Sequence, residues 1–515
     1  MRTPRSFYSR FGCFLWTSLV CLGALLSVAV AADWPNYRGP AGDGISPDRI
    51  NKQWTGAVTN PIWRLPLGNG LSSLTVSAGR VFTQIKRNLS GNKEVCVALN
   101  ATNGVELWGT VVDTASYPNG GVGFDDGPRS TPVVDGNSVY VLTSYLKLFR
   151  LNATNGVIIW QTNLVSGFGA NVIPWQNAAS PVVENGLIFV NANAGTQRIL
   201  ALRTNDGSLA WRSHNEGMTH STPVLTTMYG VRQLILATQN GLLSLNPLTG
   251  TQLWRTNYPF NYSISIGASP VVWSNIVFIT MNYAQGSAAF RVVPTNATFA
   301  AHLLWRDSAL ESHWMTAVAT EGYLYGMFTP DNEAAELRCI DIQTGAQKWA
   351  QPDFGRGGIA LVDGHLLLNT ETGDLVLVKP ITNAYTEVAR FTAITNYLND
   401  YNRCWNSAAI AAGRVYVRAT AAVAAFDLSV PDLQLDPPQL ATANQINLTV
   451  RTTTGSPVAA NRLAGMEIKT APDPAGALAA WTKLTNDLML INGVVHVTNV
   501  DASPARQFFI VSEPR

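Results

Sequence analysis

The sequence predicts an all-β protein: an eight-bladed β-propeller, closed by an N-terminal outer strand and followed by a small β-sandwich. Two observations carry the prediction. A Gly-to-Trp motif recurs along most of the 515 residues, with its closing tryptophans 43 to 52 residues apart, and a strand-turn-strand signature follows most copies. Composition agrees. Apolar residues make up 46% and charged residues 13%, with 42 Gly and 15 Trp, which suits many short strands joined by tight turns better than long amphipathic helices. A chain this long exceeds what one ordinary core organises, so a repeat-built domain with an appendage is expected.

The N-terminus carries Arg2, Arg5 and Arg10, then an apolar run from Phe11 to Val30 that ends in small residues, which reads as a signal peptide over residues 1–31. The run is near spanning length, but no basic stop follows it. Cys21 follows Val20 rather than a small residue, so the leader does not read as a lipoprotein signal. The expectation is periplasmic or secreted residence with no stable membrane insertion after cleavage. Loss of the leader arginines turns the formal charge of +2 slightly negative, which excludes a nucleic-acid partner of the basic kind. Cys96, Cys339 and Cys404 would remain in the mature chain, an odd and scattered set from which no structural bridge is expected.

The repeat begins with Ala98-Leu99-Asn100-Ala101-Thr102-Asn103-Gly104 before Trp108 and Leu151-Asn152-Ala153-Thr154-Asn155-Gly156 before Trp160. It continues with Gly207 before Trp211, Gly250 before Trp254 and Gly345 before Trp349. Two copies are degenerate: one ends at Trp305 without the Gly, and one ends at Phe391 in place of Trp. The second signature is Thr131-Pro132-Val133-Val134, Ser180-Pro181-Val182-Val183, Thr222-Pro223-Val224-Leu225 and Ser269-Pro270-Val271-Val272, each opening a hairpin through a turn such as Glu184-Asn185-Gly186. Each copy therefore holds four short strands. A solenoid is the competing architecture, and the chain ends decide against it. The last hairpin, Ala408 to Ala419 with Ala424 to Phe426, lacks an outer strand, while Pro61-Ile62-Trp63-Arg64-Leu65 is an outer strand without a blade. Joining them removes both sheet edges. Trp63, Trp108, Trp160, Trp211, Trp254, Trp305 and Trp349 are expected to be structural, filling the wedges between blades.

The pattern Ala-x-Asn/Asp-x-x-Thr/Asn-Gly-x-x-x-Trp resembles the docking motif of pyrroloquinoline-quinone (PQQ) propellers over residues 33–428. That group includes quinoprotein alcohol dehydrogenases and the propeller subunit of the outer-membrane β-barrel assembly machine, so the fold is expected to be quinoprotein-like. Asp33-Trp34-Pro35-Asn36-Tyr37-Arg38-Gly39-Pro40, Leu337-Arg338-Cys339-Ile340-Asp341 and Arg403-Cys404-Trp405 look more specifically like exported bacterial PQQ-like repeat proteins of undefined activity. In the dehydrogenases the resemblance implies a quinone stacked on a disulfide of adjacent cysteines, with calcium held by carboxylate and amide oxygens. This chain has no adjacent cysteines and no Cys-x-x-Cys-His for haem. PQQ with calcium is therefore not expected, and neither is another cofactor or a metal.

In such rings the loop before each innermost strand surrounds one mouth of the central channel. Those loops carry Arg129, Trp175 with Gln176 and Asn177, His220, Tyr262, His313 with Trp314, Arg356, and Arg403 with Trp405. Arg129, Trp175, Asn177, His220, His313, Trp314, Arg356, Arg403 and Trp405 form the candidate site, a funnel for an anionic or carbohydrate ligand with arginine clamps and indole platforms. The plainer alternative is that these side chains satisfy loop carbonyls and channel waters. No partner carboxylate is legible near His220 or His313, so no catalytic residue is assigned. Asp125-Asp126-Gly127 and Asp331-Asn332-Glu333 lack the alternating oxygens of a calcium loop.

Residues 429–440, with Pro431, Pro437 and Pro438, read as a linker. Residues 441–515 alternate as strands and loosely resemble fibronectin-type-III modules. The leading functional expectation is a non-catalytic binding or scaffold protein that presents the funnel to a protein partner or small ligand. The alternative is an enzyme, either a divergent quinoprotein dehydrogenase or a propeller acting on acidic sugars.

Overall fold

A computed structural model describes residues 33–117, 127–258, 266–296, 298–329, 334–394, 403–474, 480–503 and 507–513. The leader, Asp125, Asp126, Tyr262 and Asp331 to Glu333 lie outside them. The chain divides into two compact units, Val30–Val430 and one that begins at Pro431.

Among the described residues of the first unit, eight antiparallel sheets follow one another, numbered here in chain order by innermost and outermost strand. Sheet 1 runs from Thr75–Ser77 to Glu106–Thr114, sheet 2 from Val133–Asp135 to Ile158–Asn163, sheet 3 from Val182–Glu184 to Leu209–Ser213, and sheet 4 from Val224–Met228 to Gln252–Asn257. Sheet 5 runs from Val271–Trp273 to Phe299–Asp307, sheet 6 from Val318–Thr320 to Gln347–Gln351, and sheet 7 from Gly358–Val362 to Glu387–Thr392. Sheet 8 has Ala409–Ala411, Arg414–Ala419 and Ala422–Asp427, and its fourth strand is Trp63–Pro66, which pairs antiparallel with Ala422–Asp427. Tight turns explain the meander. Asn185 and Gly186 both take positive φ, 51° and 76°, the conformation that lets a two-residue hairpin follow the strand twist.

The repeat motif acts between sheets. Register shifts by one residue just before the tryptophan, as between Ile158 and Trp160 or Cys339 and Ile340, and such a bulge re-aims the side chain. The indole N–H then donates to a carbonyl of the next sheet's repeat: Trp63 to Ala101, Trp108 to Ala153, Trp160 to Thr204, Trp211 to Pro247, Trp305 to Ile342 and Trp349 to Ile381, at 2.8 to 3.1 Å. The motif glycine lets the next turn lie on the ring. A Cβ at Gly156 would stand 2.6 Å from Trp108, and one at Gly104 would stand 2.8 Å from Trp63. Trp254 departs from the pattern. The following sheet's turn has no glycine, and Trp254 Nε1 donates instead to Gln233 Oε1 of its own sheet at 2.7 Å. Phe391 packs edge-on against Phe426 and Trp54, at 4.9 and 5.3 Å.

The Ser/Thr-Pro signature links the innermost strands. The backbone N–H of Ser73 donates to Thr131 Oγ1, that of Thr131 to Ser180 Oγ, that of Ser180 to Thr222 Oγ1 and that of Ser269 to Thr316 Oγ1, all at 2.9 to 3.0 Å. Arg418 of sheet 8, fully buried, donates to Ser72 O, Thr83 Oγ1 and Gln84 O of sheet 1.

Residues 33–50 contact five of the sheets. Trp34 bridges to Val76 of sheet 1, and Pro35 O accepts from Val134 of sheet 2. Arg38, 3% exposed, donates to Thr316 O and Ala317 O beside sheet 6. Ile45–Ser46 adds a parallel strand to the inner edge of sheet 7, and Asp48 accepts from Gly413 of sheet 8. The segment ends at the turns that follow the inner strands, where Asp33 meets Ser77 and Ile50 meets Asp363. The sequence reading placed no strand here, because two residues show no alternation.

The second unit has one sheet ordered Leu433–Leu435, Gln445–Thr452, Val494–Asp501 and Met489–Ile491, with Gln439–Thr442 paired to its second strand. The other sheet contains Glu467–Ala471 between Thr482–Lys483 and Phe508–Ser512. Leu448, Val450, Ile468, Val495 and Val497 share its core. Leu433–Leu435 falls in the stretch expected as linker, and Gln439–Thr442 begins there. Pro431, Pro437 and Pro438 stand beside those strands rather than within them, where a missing N–H is tolerated.

Candidate functional site

The loops that lead into the inner strands carry two groups of side chains. The first joins the loops before sheets 2, 3 and 4. Trp175 and Gln176 sit at positive φ, 61° and 56°, which turns the Trp175 indole out to 39% exposure. Arg129 Nη1 donates to Trp175 O at 3.1 Å, and His220 Nε2 lies 3.2 Å from Pro174 O. Burial, reinforced by the Arg129 charge, pushes the His220 imidazole down to about 4, so it is neutral at pH 7. Asn177 is buried and donates to Thr143 O and Ala179 O, which makes it a brace for its own loop.

The second group centres on Glu371, in the turn after the second strand of sheet 7. Trp405 Nε1 donates to Glu371 Oε1 at 3.0 Å, the Arg356 backbone N–H donates to Oε2 at 3.0 Å, and Arg403 Nε stands 3.8 Å from Oε1. The Trp405 and Trp314 rings lie 4.7 Å apart at 50°, His313 touches Trp314 at 5.1 Å, and Tyr283 meets His313 edge-on at 5.2 Å. Loops before sheets 6, 7 and 8 thus share one cluster. Trp314 Nε1 and Arg356 Nε are buried there without an acceptor. Glu371 and Tyr283 escape a reading that surveys only the loops before the inner strands, although the Thr370-Glu371-Thr372-Gly373 turn occupies the same rim.

The contacts join His220 to Arg129 and the Pro174 loop, and His313 to Tyr283 and Trp314, in separate groups. Another rim carboxylate, Glu216, accepts from Arg255 Nε at 2.7 Å and from Thr238 Oγ1 and Asn240 Nδ2 at 2.9 Å, a fully engaged structural anchor. Among the described residues no three His, Cys, Asp or Glu side chains come together as metal ligands. Cys96, Cys339 and Cys404 are buried free thiols, and burial pushes Cys404 up to about 12. No two cysteines are adjacent in the sequence, so the disulfide platform that the resemblance implies for a quinone cannot form from neighbouring residues here. No described helix is long and apolar enough to cross a membrane.

Over residues 54–174 and 91–351 the chain matches the family described as outer membrane protein assembly factor BamB. It is 24% identical over 238 residues to the tetrathionate hydrolase of Acidithiobacillus ferrooxidans, covering 43% of this chain and 44% of that protein. It is 27% identical over 203 residues to outer membrane protein assembly factor BamB of Yersinia pestis, covering 37% and 47%. The chain thus spans less than half the length of these curated relatives. A quinohemoprotein alcohol dehydrogenase from Pseudomonas putida HK5 is similar in structure, with a TM-score of 0.53 and 12% identity over 80% of this chain and 83% of that one. At that identity the likeness concerns the fold, a β-propeller.

Proposed function

The chain belongs to the PQQ-like repeat family described as outer membrane protein assembly factor BamB, and from that membership we propose that it is an exported, non-catalytic binding or scaffold propeller whose partner docks at the rim of the inner strands. The propeller is taken to be an eight-bladed ring over residues 33–428. Eight successive sheets among the described residues support that count, and the pairing of Trp63–Pro66 with Ala422–Asp427 supports closure. The leader and the BamB relative favour the periplasm or secretion.

One observation carries the binding role. Trp175, His313, Trp314, Arg403 and Trp405 are at least partly exposed on the loops that lead into the inner strands, and residues 33–50 contact five of the sheets, which supports reading these loops as the open side of the ring. Half-exposed indoles and arginines are the side chains that dominate binding surfaces. No cofactor is invoked. The test places a photo-crosslinking amino acid at Trp175 or Trp405 in the native host. One discrete protein adduct, lost when the probe moves to Val157 in the turn before the outer strand of sheet 2, is expected. The absence of any rim-specific adduct would sink the scaffold role.

A second reading, an enzyme, draws on the Glu371 carboxylate beside Arg356 and Arg403 and on the partial likeness to a protein named tetrathionate hydrolase. Turnover of tetrathionate or an acidic sugar, or dye reduction with alcohols in the presence of quinone and calcium, would replace the scaffold reading. No turnover above buffer is expected.

A further inference from the structure

We propose that the Glu371 cluster above sheet 7 binds a sugar acid, an inference that rests on the reading of this rim as a binding surface. The first support is a pair of unused donors. Trp314 Nε1 and Arg356 Nε are buried without acceptors, so both side chains keep unused hydrogen-bonding capacity. Residue 356 reaches Glu371 through its backbone N–H, which leaves its guanidinium for a ligand. The second is charge. The Arg403 guanidinium stands 3.8 Å from a Glu371 carboxylate both of whose oxygens already accept hydrogen bonds, from Trp405 Nε1 and the Arg356 backbone, and Arg356 adds a second cation to the same group of loops. The cluster therefore keeps an excess of positive charge in a partly desolvated setting, where a carboxylate is bound more strongly than in water.

The third is shape. Trp314 and Trp405 are half-exposed and their tilted rings extend one apolar surface, which His313 prolongs. Such a surface takes the C–H face of a pyranose and offers nothing to a bare phosphate. A uronate supplies both complements at once: a carboxylate for the arginine guanidinium groups and a carbon face for the indoles.

Titration calorimetry of the full chain with D-glucuronate, D-glucose, acetate and inorganic phosphate tests this. Glucuronate is expected to bind about tenfold or more tightly than the other three, and Arg356→Gln and Trp405→Ala are each expected to weaken it by about tenfold or more. Trp405→Phe, which keeps an aromatic face, should lose less than Trp405→Ala, and matching melting curves establish that the variants fold. Equal binding of acetate would identify a pocket for the acidic side chain of a protein and overturn the sugar. Equal binding of phosphate or glucose, undiminished binding by Arg356→Gln in a folded chain, or no glucuronate heat at millimolar concentration would also overturn it. Crosslinks from Trp175, in the other rim group, report the scaffold reading separately. An adduct without glucuronate binding sinks only the sugar-acid site.

Discussion

Glu94, in the third strand of sheet 1, is completely buried, and burial pushes its carboxyl from an ordinary 4.5 up to about 7, against hydrogen bonds from Tyr117 Oη at 2.8 Å and Ser144 N at 3.2 Å. Its neighbour across the strands, Asp113, is held instead by Thr143 Oγ1 and Lys147 Nζ. A carboxyl raised in the folded state binds its proton more tightly there than in the unfolded chain. Its stabilising contribution is present below about pH 4.5 and is lost as pH rises through about 7. Glu94→Gln should flatten that part of the profile. Scanning calorimetry is expected to show the wild-type midpoint falling more steeply than the variant's between pH 5 and 7.5, and parallel curves would show that another group titrates. Nothing in Asn92-Lys93-Glu94-Val95 marks this burial, because Ser144 belongs to the next sheet and Tyr117 to the loop that leads there. Glu371 was hidden for the same reason, since its partners come from two other loops.

At the scale of the element, the motif glycines set how closely one sheet approaches the previous one. Gly156 and Gly136 both take positive φ, 72° and 55°, so alanine at either costs about 1 kcal/mol of backbone strain. They differ in what a Cβ would meet: the Trp108 ring at 2.6 Å at Gly156, open space at Gly136. Gly156→Ala should therefore cost a further ~1–3 kcal/mol from overpacking, read as the difference between the two urea midpoints. Equal midpoints would show that the Trp108 contact yields freely. The motif itself was legible, since a Gly-to-Trp spacing needs only local periodicity. Trp254 was not, because its choice of Gln233 depends on the glycine missing from the next sheet's turn.

For the whole molecule, one pairing joins segments far apart in sequence: Trp63 pairs across from Ala425 and donates to Ala101 of sheet 1. Trp63→Ala removes an 8%-exposed indole from this seam and should cost ~3–5 kcal/mol. Because a contact of such sequence separation forms late, the variant should unfold faster while refolding at nearly the wild-type rate. A cost below about 1 kcal/mol would count against closure by this strand, and a slower refolding limb would place the seam in the transition state. Of residues 33–50, only Asp33 to Pro40 were read from sequence, as a family resemblance. The partners of residues 33–50 lie in sheets 1, 2, 6, 7 and 8, and no local pattern encodes contacts with five distant elements.

What the sequence determined by itself was the repeat: strand, turn, strand, glycine and tryptophan follow from backbone preferences and apolar periodicity within some fifty residues. Only the tertiary structure decided which loop side chains meet, which acids are buried, and that residues 33–50 contact five of the sheets. Those outcomes depend on desolvation and hydrogen-bond partners brought from sheets far apart in sequence, and one-dimensional spacing carries no record of them.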